Sequence, residues 1–304
     1  MTGDQPYLSV CIASYGDDVS PLLLGLDEAR NGLLEQWPCE IIISDQHPES
    51  HENRNLWQAY ANCQYLHQPH TKGRSTNRNG LGNAARGEYL LFLDADAECP
   101  DDQFLFRYCS ASKNAEVVVG GTAYKNGFKT RELRVRIGKR KEEKSSVQRI
   151  SNPYGSFSAF NFLIKKNTFN AIGFDESLRT YGHEDTLFGL ELKYRNITIN
   201  HIDNPAYHMG IDSGGDFMDK TTAAVDGLAH LISIGKIDED VRLFKTYRFV
   251  QKSGFQLFFK VIYQLFGAPL KRGLASGYLP LFFFDVYKLL RLCSHSIKIG
   301  RRMP

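Results

Sequence analysis

One run of this chain delivers two carboxylates to a single point at the end of an apolar stretch: Leu90-Leu91-Phe92-Leu93-Asp94-Ala95-Asp96. In an extended segment alternate side chains share a face, so Asp94 and Asp96 can project together from the end of a buried strand. Open α/β sheets bind their ligands at that end. Two neighbouring carboxylates suit a hard divalent cation, Mg²⁺ or Mn²⁺, whose coordination is completed by phosphate oxygens. The spacing therefore points to metal-bound diphosphate chemistry. Asp is also frequent where a strand runs into a polar turn, and the triplet alone leaves both readings open.

The segments around it read as a scaffold for such a site. Leu8 to Ala13 and Glu40 to Ser44 are β-rich apolar runs, and Cys63 to Gln68 forms a third. Helical spacing covers Pro21 to Trp37, Arg74 to Arg86 and Asp101 to Ser112, and Glu116 to Gly120 reads as a further strand. Repeated βα units of this kind predict a mainly parallel sheet with helices on both faces. Farther on, Phe157 to Phe169 reads as a strand turning into a short helix, Ala171 to Arg195 as a loop leading to a longer helix, and helical patterns dominate from Gly215.

At 304 residues and 42% hydrophobic content the chain can bury one large core, which excludes a disordered protein. Its six cysteines, Cys11, Cys39, Cys63, Cys99, Cys109 and Cys293, form no CxxC pair, which argues against a zinc ribbon or dithiol site and fits a reducing cytoplasm. The start lacks a basic segment followed by an apolar one, so no secretory signal is expected. His47 with His51 and His67 with His70 have metal-compatible spacings but sit among loop-like polar residues, where surface histidines are the plainer reading.

Four ordered segments within residues 7 to about 210 resemble the family 2 glycosyltransferases, inverting enzymes with the GT-A nucleotide-sugar fold. LSVCIASYGDD looks like the family's first strand; where that strand typically ends in Pro-Thr-Tyr-Asn, this chain has Ala13-Ser14-Tyr15-Gly16. The resemblance places Ser14 and Tyr15 at the nucleotide sugar, and Asp45, which ends IIISDQ, on the base or ribose. RNGLGNAARGEYLLFLDAD follows the family's approach to the metal-binding strand. It implies that Asp96 holds the metal, that Asp94 reaches the ribose or the metal through water, and that the Arg78 guanidinium faces the donor diphosphate. Arg74 and Arg86 read as solvated charges.

YGHEDTLFGLELKYR looks like the family's Glu-Asp motif, with Asp185 as the candidate base for the acceptor hydroxyl and Glu184 as the residue that binds the acceptor or orients Asp185. An acidic pair also suits a helix N-terminus on dipole grounds alone. In NPAYHMG, His208 matches a metal-ligating histidine of many relatives, and a packed core histidine is the alternative. Asn161 matches a residue near the donor, with a strand-end hydrogen bond as its other reading.

The implied activity is metal-dependent, inverting transfer of a sugar from a nucleoside diphosphate donor, a UDP-sugar foremost, to a hydroxyl of a glycan or lipid-linked acceptor in cell-surface polysaccharide or glycolipid assembly. A sugar nucleotidyltransferase is the nearest rival, but SVCIASYGDD lacks the Gly-rich phosphate loop with Arg and Lys which that class is expected to carry. A non-catalytic nucleotide-binding scaffold at a membrane is the alternative outside enzymes.

Charge divides the chain into an expected catalytic domain, residues 1 to 240, and a helical extension, 241 to 304. The extension carries 12 Lys and Arg against Asp285 alone, an excess of +11, and 13 aromatic residues, whereas residues 1 to 240 carry 25 basic against 33 acidic residues, a balance of −8. Its longest uncharged stretch, Gly273 to Phe284, has 12 residues, short of the roughly 20 that span a bilayer. An anionic membrane surface at the inner face of the cell membrane, packing onto the core and a dimer interface are the competing readings; nucleic acid is not expected, for want of a reader motif. Residues 125 to 150, with ten Lys and Arg against three Glu, read as a solvated helix or an acceptor-binding flap.

Overall fold

A computed structural model describes residues 6–33, 37–49, 55–69, 73–128, 132–178 and 182–300. His51 and His70 lie outside the described residues, as do positions 129–131 of the basic segment and 301–304 of the extension. The strands are β1 (Leu8–Ser14), β2 (Cys39–Asp45), β3 (Cys63–His67), β4 (Tyr89–Asp94), β5 (Ala97–Glu98), β6 (Val117–Val119), β7 (Thr122–Ala123), β8 (Asn161–Lys165), β9 (Ile199–His201) and β10 (Ala206–His208). The helices are α1 (Ser20–Asn31), α2 (Arg74–Ala84), α3 (Phe104–Ser112), α4 (Leu133–Lys141), α5 (Ser146–Ile150), α6 (Lys166–Ile172), α7 (Glu184–Tyr194), α8 (Gly214–Ser233), α9 (Arg242–Lys252), α10 (Gln256–Ala275) and α11 (Phe282–Ser294).

The central sheet runs β3-β2-β1-β4-β8-β6-β9. All its pairings are parallel except those of β8, which runs against both β4 and β6. Alternation along each strand explains why both faces are covered. Val10, Ile12, Ile41, Ile43, Leu91 and Leu93 enter one core with α1 and α3. Cys11, Ile42, Leu90 and Phe92 enter the other with Leu81 of α2 and Phe169 of α6. Successive strands leave β1 on one side as far as β3, and the chain then crosses through α2 to lay β4 on the other side. The switch point is thus the gap between the ends of β1 and β4. A second, three-stranded sheet has the order β5-β10-β7.

The chain divides into two compact units that are not consecutive blocks of sequence: residues 1–125, 142–178 and 188–210 form one, and 126–141, 179–187 and 211–304 the other. Both sheets belong to the first. The second contains the whole 241–304 extension together with α8 and the basic helix α4, because these share one apolar core of Leu133, Ile137, Met218, Leu274, Phe284 and Tyr287. Several of its cations hold it together internally. Arg136 donates to the Gly277 and Leu279 carbonyls, and Arg291 pairs through two 2.7 Å bonds with Asp226, which also accepts from His295 at 2.8 Å. No helix among the described residues is long and apolar enough to cross a membrane.

The opposite edge of the central sheet, where β1, β2 and β4 begin, is locked by a residue that reads in sequence as a solvated charge. Arg86 gives its Nε and Nη2 to Glu40 Oε2 at 2.9 and 2.8 Å, and its backbone N–H reaches Oε1 at 2.7 Å. Ser9 donates to the same Oε1 at 2.6 Å and accepts from the Gly87 N–H at 2.8 Å, tying three strands to one carboxylate. Burial of Glu40 works to raise its pKa, but the bonds from Ser9 and Arg86 outweigh it and hold the carboxyl below its ordinary value of 4.5. A depressed carboxylate stabilises the fold in full above that ordinary value and loses the contribution as pH falls through the folded one. Arg86→Ala should therefore lower unfolding free energy by about 1–3 kcal/mol at neutral pH, less in acid, as read by urea denaturation across pH.

Candidate active site

The ends of β1, β2 and β4 are brought together by register: Ser14 lies opposite Asp45 and Ala13 opposite Asp94. The strand frame persists one residue beyond β4, since the Asp94 N–H bonds the Phe160 carbonyl at 3.2 Å and that of Ala95 the Ala13 carbonyl at 3.2 Å. Asp94 shares parity with Leu90 and Phe92 and so faces α2. There Arg78 meets it with Nη2 2.5 Å from Oδ1, its guanidinium 5.4 Å above the Phe174 ring. Arg78 is 3% exposed, so it anchors Asp94 from within the protein.

Asp96 leaves the turn in another direction, and the small sheet decides where. β5 pairs antiparallel with β10, with His208 opposite Ala97, and the Met209 N–H bonds the Asp96 carbonyl at 2.9 Å. This brings His208 Nε2 to 3.7 Å from Asp96 Oδ2. The imidazole is held between Phe160 and Tyr124, with ring centroids 5.1 and 5.7 Å away and planes tilted by 21° and 18°. At Gly210 a Cβ would stand 2.0 Å from Asp96 Oδ2, so only glycine leaves that carboxylate its place.

Ser14, Tyr15 and Asp45 build the rim. Asp45 is fully buried, and Oδ1 accepts from the N–H groups of Gly16 at 3.0 Å and His47 at 2.9 Å, fixing the loops after β1 and β2. Gly16 has φ +79°, a turn only glycine takes cheaply. Ser14 Oγ accepts from the Asp17 N–H at 3.2 Å, and Asn77 of α2 donates to the Ser14 and Ser44 carbonyls at 3.2 and 3.3 Å. Tyr15 is 64% exposed with its ring edge-on to His47, a free apolar surface at the mouth of the switch point. Asn161 is 1% exposed; it accepts from the Tyr108 hydroxyl at 2.6 Å and donates to the Gly121 and Asn204 carbonyls at 2.9 and 3.0 Å. Its side chain is spent inside the protein, which is the strand-end role.

Two residues outside the candidates read from sequence also matter here. Arg149, part of the basic run, is 4% exposed and donates to the carbonyls of Gly120, Ile202 and Lys144 and to His201 Nδ1. It secures the chain where β6 and β9 pass into β7 and β10, and so positions His208; Gly121, at φ +98°, leaves room for it. Burial draws its pKa down, with Asp203 opposing. The other is His183. In the second unit Glu184 and Asp185 open α7, Glu184 buried and Asp185 half-exposed. His183 precedes them at φ +71°, a conformation unusual for a non-glycine residue. Its Nε2 donates to the Ala224 carbonyl at 2.8 Å, and burial holds the imidazole below its ordinary pKa against that bond. A neutral ring therefore fixes the start of the acidic helix. The signal was the Gly-His dipeptide before Glu184, which has the form of a left-handed turn.

Among the described residues no three His, Cys, Asp or Glu side chains gather into a metal-binding cluster. The pair Asp96 and His208 nevertheless fits a divalent cation. Ligands that each sit about 2.1 Å from one ion are at most about 4.2 Å apart, and an imidazole with a carboxylate suits Mn²⁺, whose remaining positions phosphate oxygens and water can take. The observed 3.7 Å lies within that limit. Asp94, paired with Arg78, stands apart from this donor set.

The comparisons agree with this architecture. Among solved structures, S. aureus TarS 1–349 is 17% identical with TM-score 0.51, covering 93% of this chain and 90% of its own. The same TarS fragment in complex with UDP-GlcNAc is 18% identical with TM-score 0.50 over the same shares. The mannosyltransferase PcManGT from Pyrobaculum calidifontis, in complex with GDP-Man and Mn²⁺, is 15% identical with TM-score 0.52, covering 78% of this chain and 67% of that one. These likenesses show the GT-A fold. No curated protein matched the chain. The family described as glycosyl transferase family 2 matches residues 9–175, more than half of the chain, a stretch that takes in β1 from its second residue, β2, β4 and the Asp94–Asp96 turn. The chain belongs to glycosyl transferase family 2 and is a glycosyltransferase with a GT-A nucleotide-sugar domain.

Proposed function

We propose that this glycosyltransferase is metal-dependent and inverting, and that it moves a sugar from a nucleoside diphosphate donor, a UDP-sugar foremost, to a hydroxyl of a glycan or lipid-linked acceptor. The observation that carries this is the Asp96–His208 pair, 3.7 Å apart beside an Arg78-anchored Asp94 at the switch point. Asp96 and His208 would hold Mn²⁺ or Mg²⁺, and neutralisation of the departing diphosphate is the chemistry such an ion supplies there. Asp94, fixed by Arg78, is the proposed contact to the ribose. Tyr15, exposed at the rim, offers a ring to the nucleotide, while Asp45 and Ser14 shape the loop it stands on. TarS bound to UDP and PcManGT bound to GDP-Man and Mn²⁺ support a nucleotide-sugar donor and a cation without choosing among them.

Asp185 is the proposed base. In an inverting transfer one group takes the proton of the acceptor hydroxyl as its oxygen attacks the anomeric carbon from the face opposite the leaving diphosphate. A half-exposed carboxylate in the first turn of a helix can accept that proton, and the buried Glu184 beside it is the proposed orienting residue. The basic, aromatic extension supports work at the inner face of a membrane, where lipid-linked acceptors of cell-surface polysaccharide or glycolipid assembly are met.

The metal assignment predicts that Mn²⁺ with UDP raises the melting temperature of the native chain by mass action, and that Asp96→Ala abolishes this rise while melting alone at the native temperature. An undiminished shift in Asp96→Ala, or one that survives chelation, would remove Asp96 from the metal site.

The base assignment predicts that Asp185→Asn retains the UDP and Mn²⁺ thermal shift and lowers kcat by about 10²–10⁴. The readout is diphosphonucleoside release with an acceptor present. If Glu184→Gln proves the more damaging change, the two roles are exchanged.

A further inference from the structure

Eleven of the sixteen large apolar side chains exposed among the described residues fall between Phe249 and Ile299. Seven of them lie on two helices of the second unit or the turn between them: Phe249 on α9, Phe255 in the turn, and Leu257, Phe258, Val261, Leu265 and Phe266 on α10. On α9, Phe244, Tyr247 and Val250 are buried, while Arg242, Lys245, Phe249 and Lys252, spaced by three and four residues, stand exposed along one outward stripe. Phe249 is 71% exposed in the middle of that row of cations. On α10 the stripe Tyr263, Gly267, Leu270 and Leu274 packs inward. Of the seven residues exposed between Gln256 and Ala268, only Gln264 is polar. A solvated helix would show the reverse pattern.

The turn joining the helices is built, not loose. The Phe255 N–H reaches back to the Val250 carbonyl at 3.2 Å and the Gly254 N–H to that of Gln251 at 3.1 Å, with Gly254 at φ +78°. This is a closed helix end of the Schellman kind, and it presents Phe255, Leu257 and Phe258, each at least 59% exposed, at a fixed tip.

We propose that the outward faces of α9 and α10 dock in the plane of an anionic bilayer, a surface that deepens the membrane part of the proposed function and rests on it. Phe255, Phe258 and Leu265 enter the boundary between headgroups and acyl chains, and Arg242, Lys245 and Lys252 meet the anionic headgroups. The occupant follows from the chemistry. No Asp or Glu occurs from Val241 to Phe284, so the partner is anionic. A face of six apolar residues needs depth outside water, which a nucleic-acid backbone does not offer. A second copy would set like-charged faces against each other. The helices lie on the bilayer and do not cross it, as none is long and apolar enough.

Vesicle co-sedimentation of the full chain tests this, with phosphatidylcholine alone or mixed with phosphatidylglycerol, across a salt series. The native chain should pellet with the anionic vesicles and be partly released by salt. Lys245→Glu with Lys252→Glu should weaken low-salt binding about tenfold, and Phe258→Ser with Leu265→Ser should remove the salt-resistant part. All four positions are surface sites, and the thermal shift by UDP and Mn²⁺ should be unchanged in both variants, so failure of the donor reading is read separately. Full recovery of the native chain in the supernatant with every vesicle would overturn the proposal. So would a dimer in sedimentation velocity that Phe258→Ser with Leu265→Ser dissolves while vesicles remain unbound.

Discussion

A carboxylate at the end of a strand buried on both faces has to be held there by something, and in this protein Arg78 holds it. Asp94 faces α2 because strand parity sends it to the side of Leu90 and Phe92, a side filled with Phe162, Phe169 and Phe174. An unpaired charge beside that aromatic cluster would be costly, and removing one partner of such a pair typically costs on the order of 3 kcal/mol. The guanidinium at 2.5 Å, seated over Phe174, makes the position tenable. With Asp94 fixed, the chain leaves β4 on a set course, and Asp96 comes within reach of the small sheet. The small sheet then carries His208 to it. Removing the ion pair would therefore disturb the course of the chain through Asp96 as well as Asp94 itself.

The architecture was legible wherever period-two alternation met a β-rich run. β1, β2 and β4 were visible for that reason, and the end of β4 was marked because Asp94 and Asp96 interrupt an apolar stretch abruptly. The antiparallel β8 was not distinguishable from a parallel strand, since its side chains alternate identically in either direction. Side-chain partners were least legible. Arg86 is a surface cation, as its sequence suggests, but it also bonds a carboxylate 46 residues away, whereas Arg149 is buried and bonds carbonyls up to 53 residues away. Spacing along the chain cannot announce such contacts. Asn161 and Asp45 illustrate the same limit from the other side, as polar residues at strand ends that satisfy backbone groups of neighbouring loops.

The basic extension shows how a single charge count can combine two physical roles. Arg291 and Lys271 pair with carboxylates of their own unit, Asp226 and Asp219. The cations on the outward stripe of α9 are spent differently, around an exposed Phe249. Burial separates the two sets, and sequence alone had counted them together. It also assigns α4, from the basic segment, to the apolar core shared with α8, α10 and α11.

On the proposed assignment Asp96 and His208 together hold the cation while Asp94 stays with Arg78. Anomalous diffraction at the manganese edge, from crystals grown with Mn²⁺ and UDP, tests it directly. One manganese peak is expected within bonding distance of both the Asp96 carboxylate and His208 Nε2, with the Arg78–Asp94 pair intact. Bound UDP with no manganese at that pair, or manganese held by Asp94 with Arg78 displaced, would contradict it.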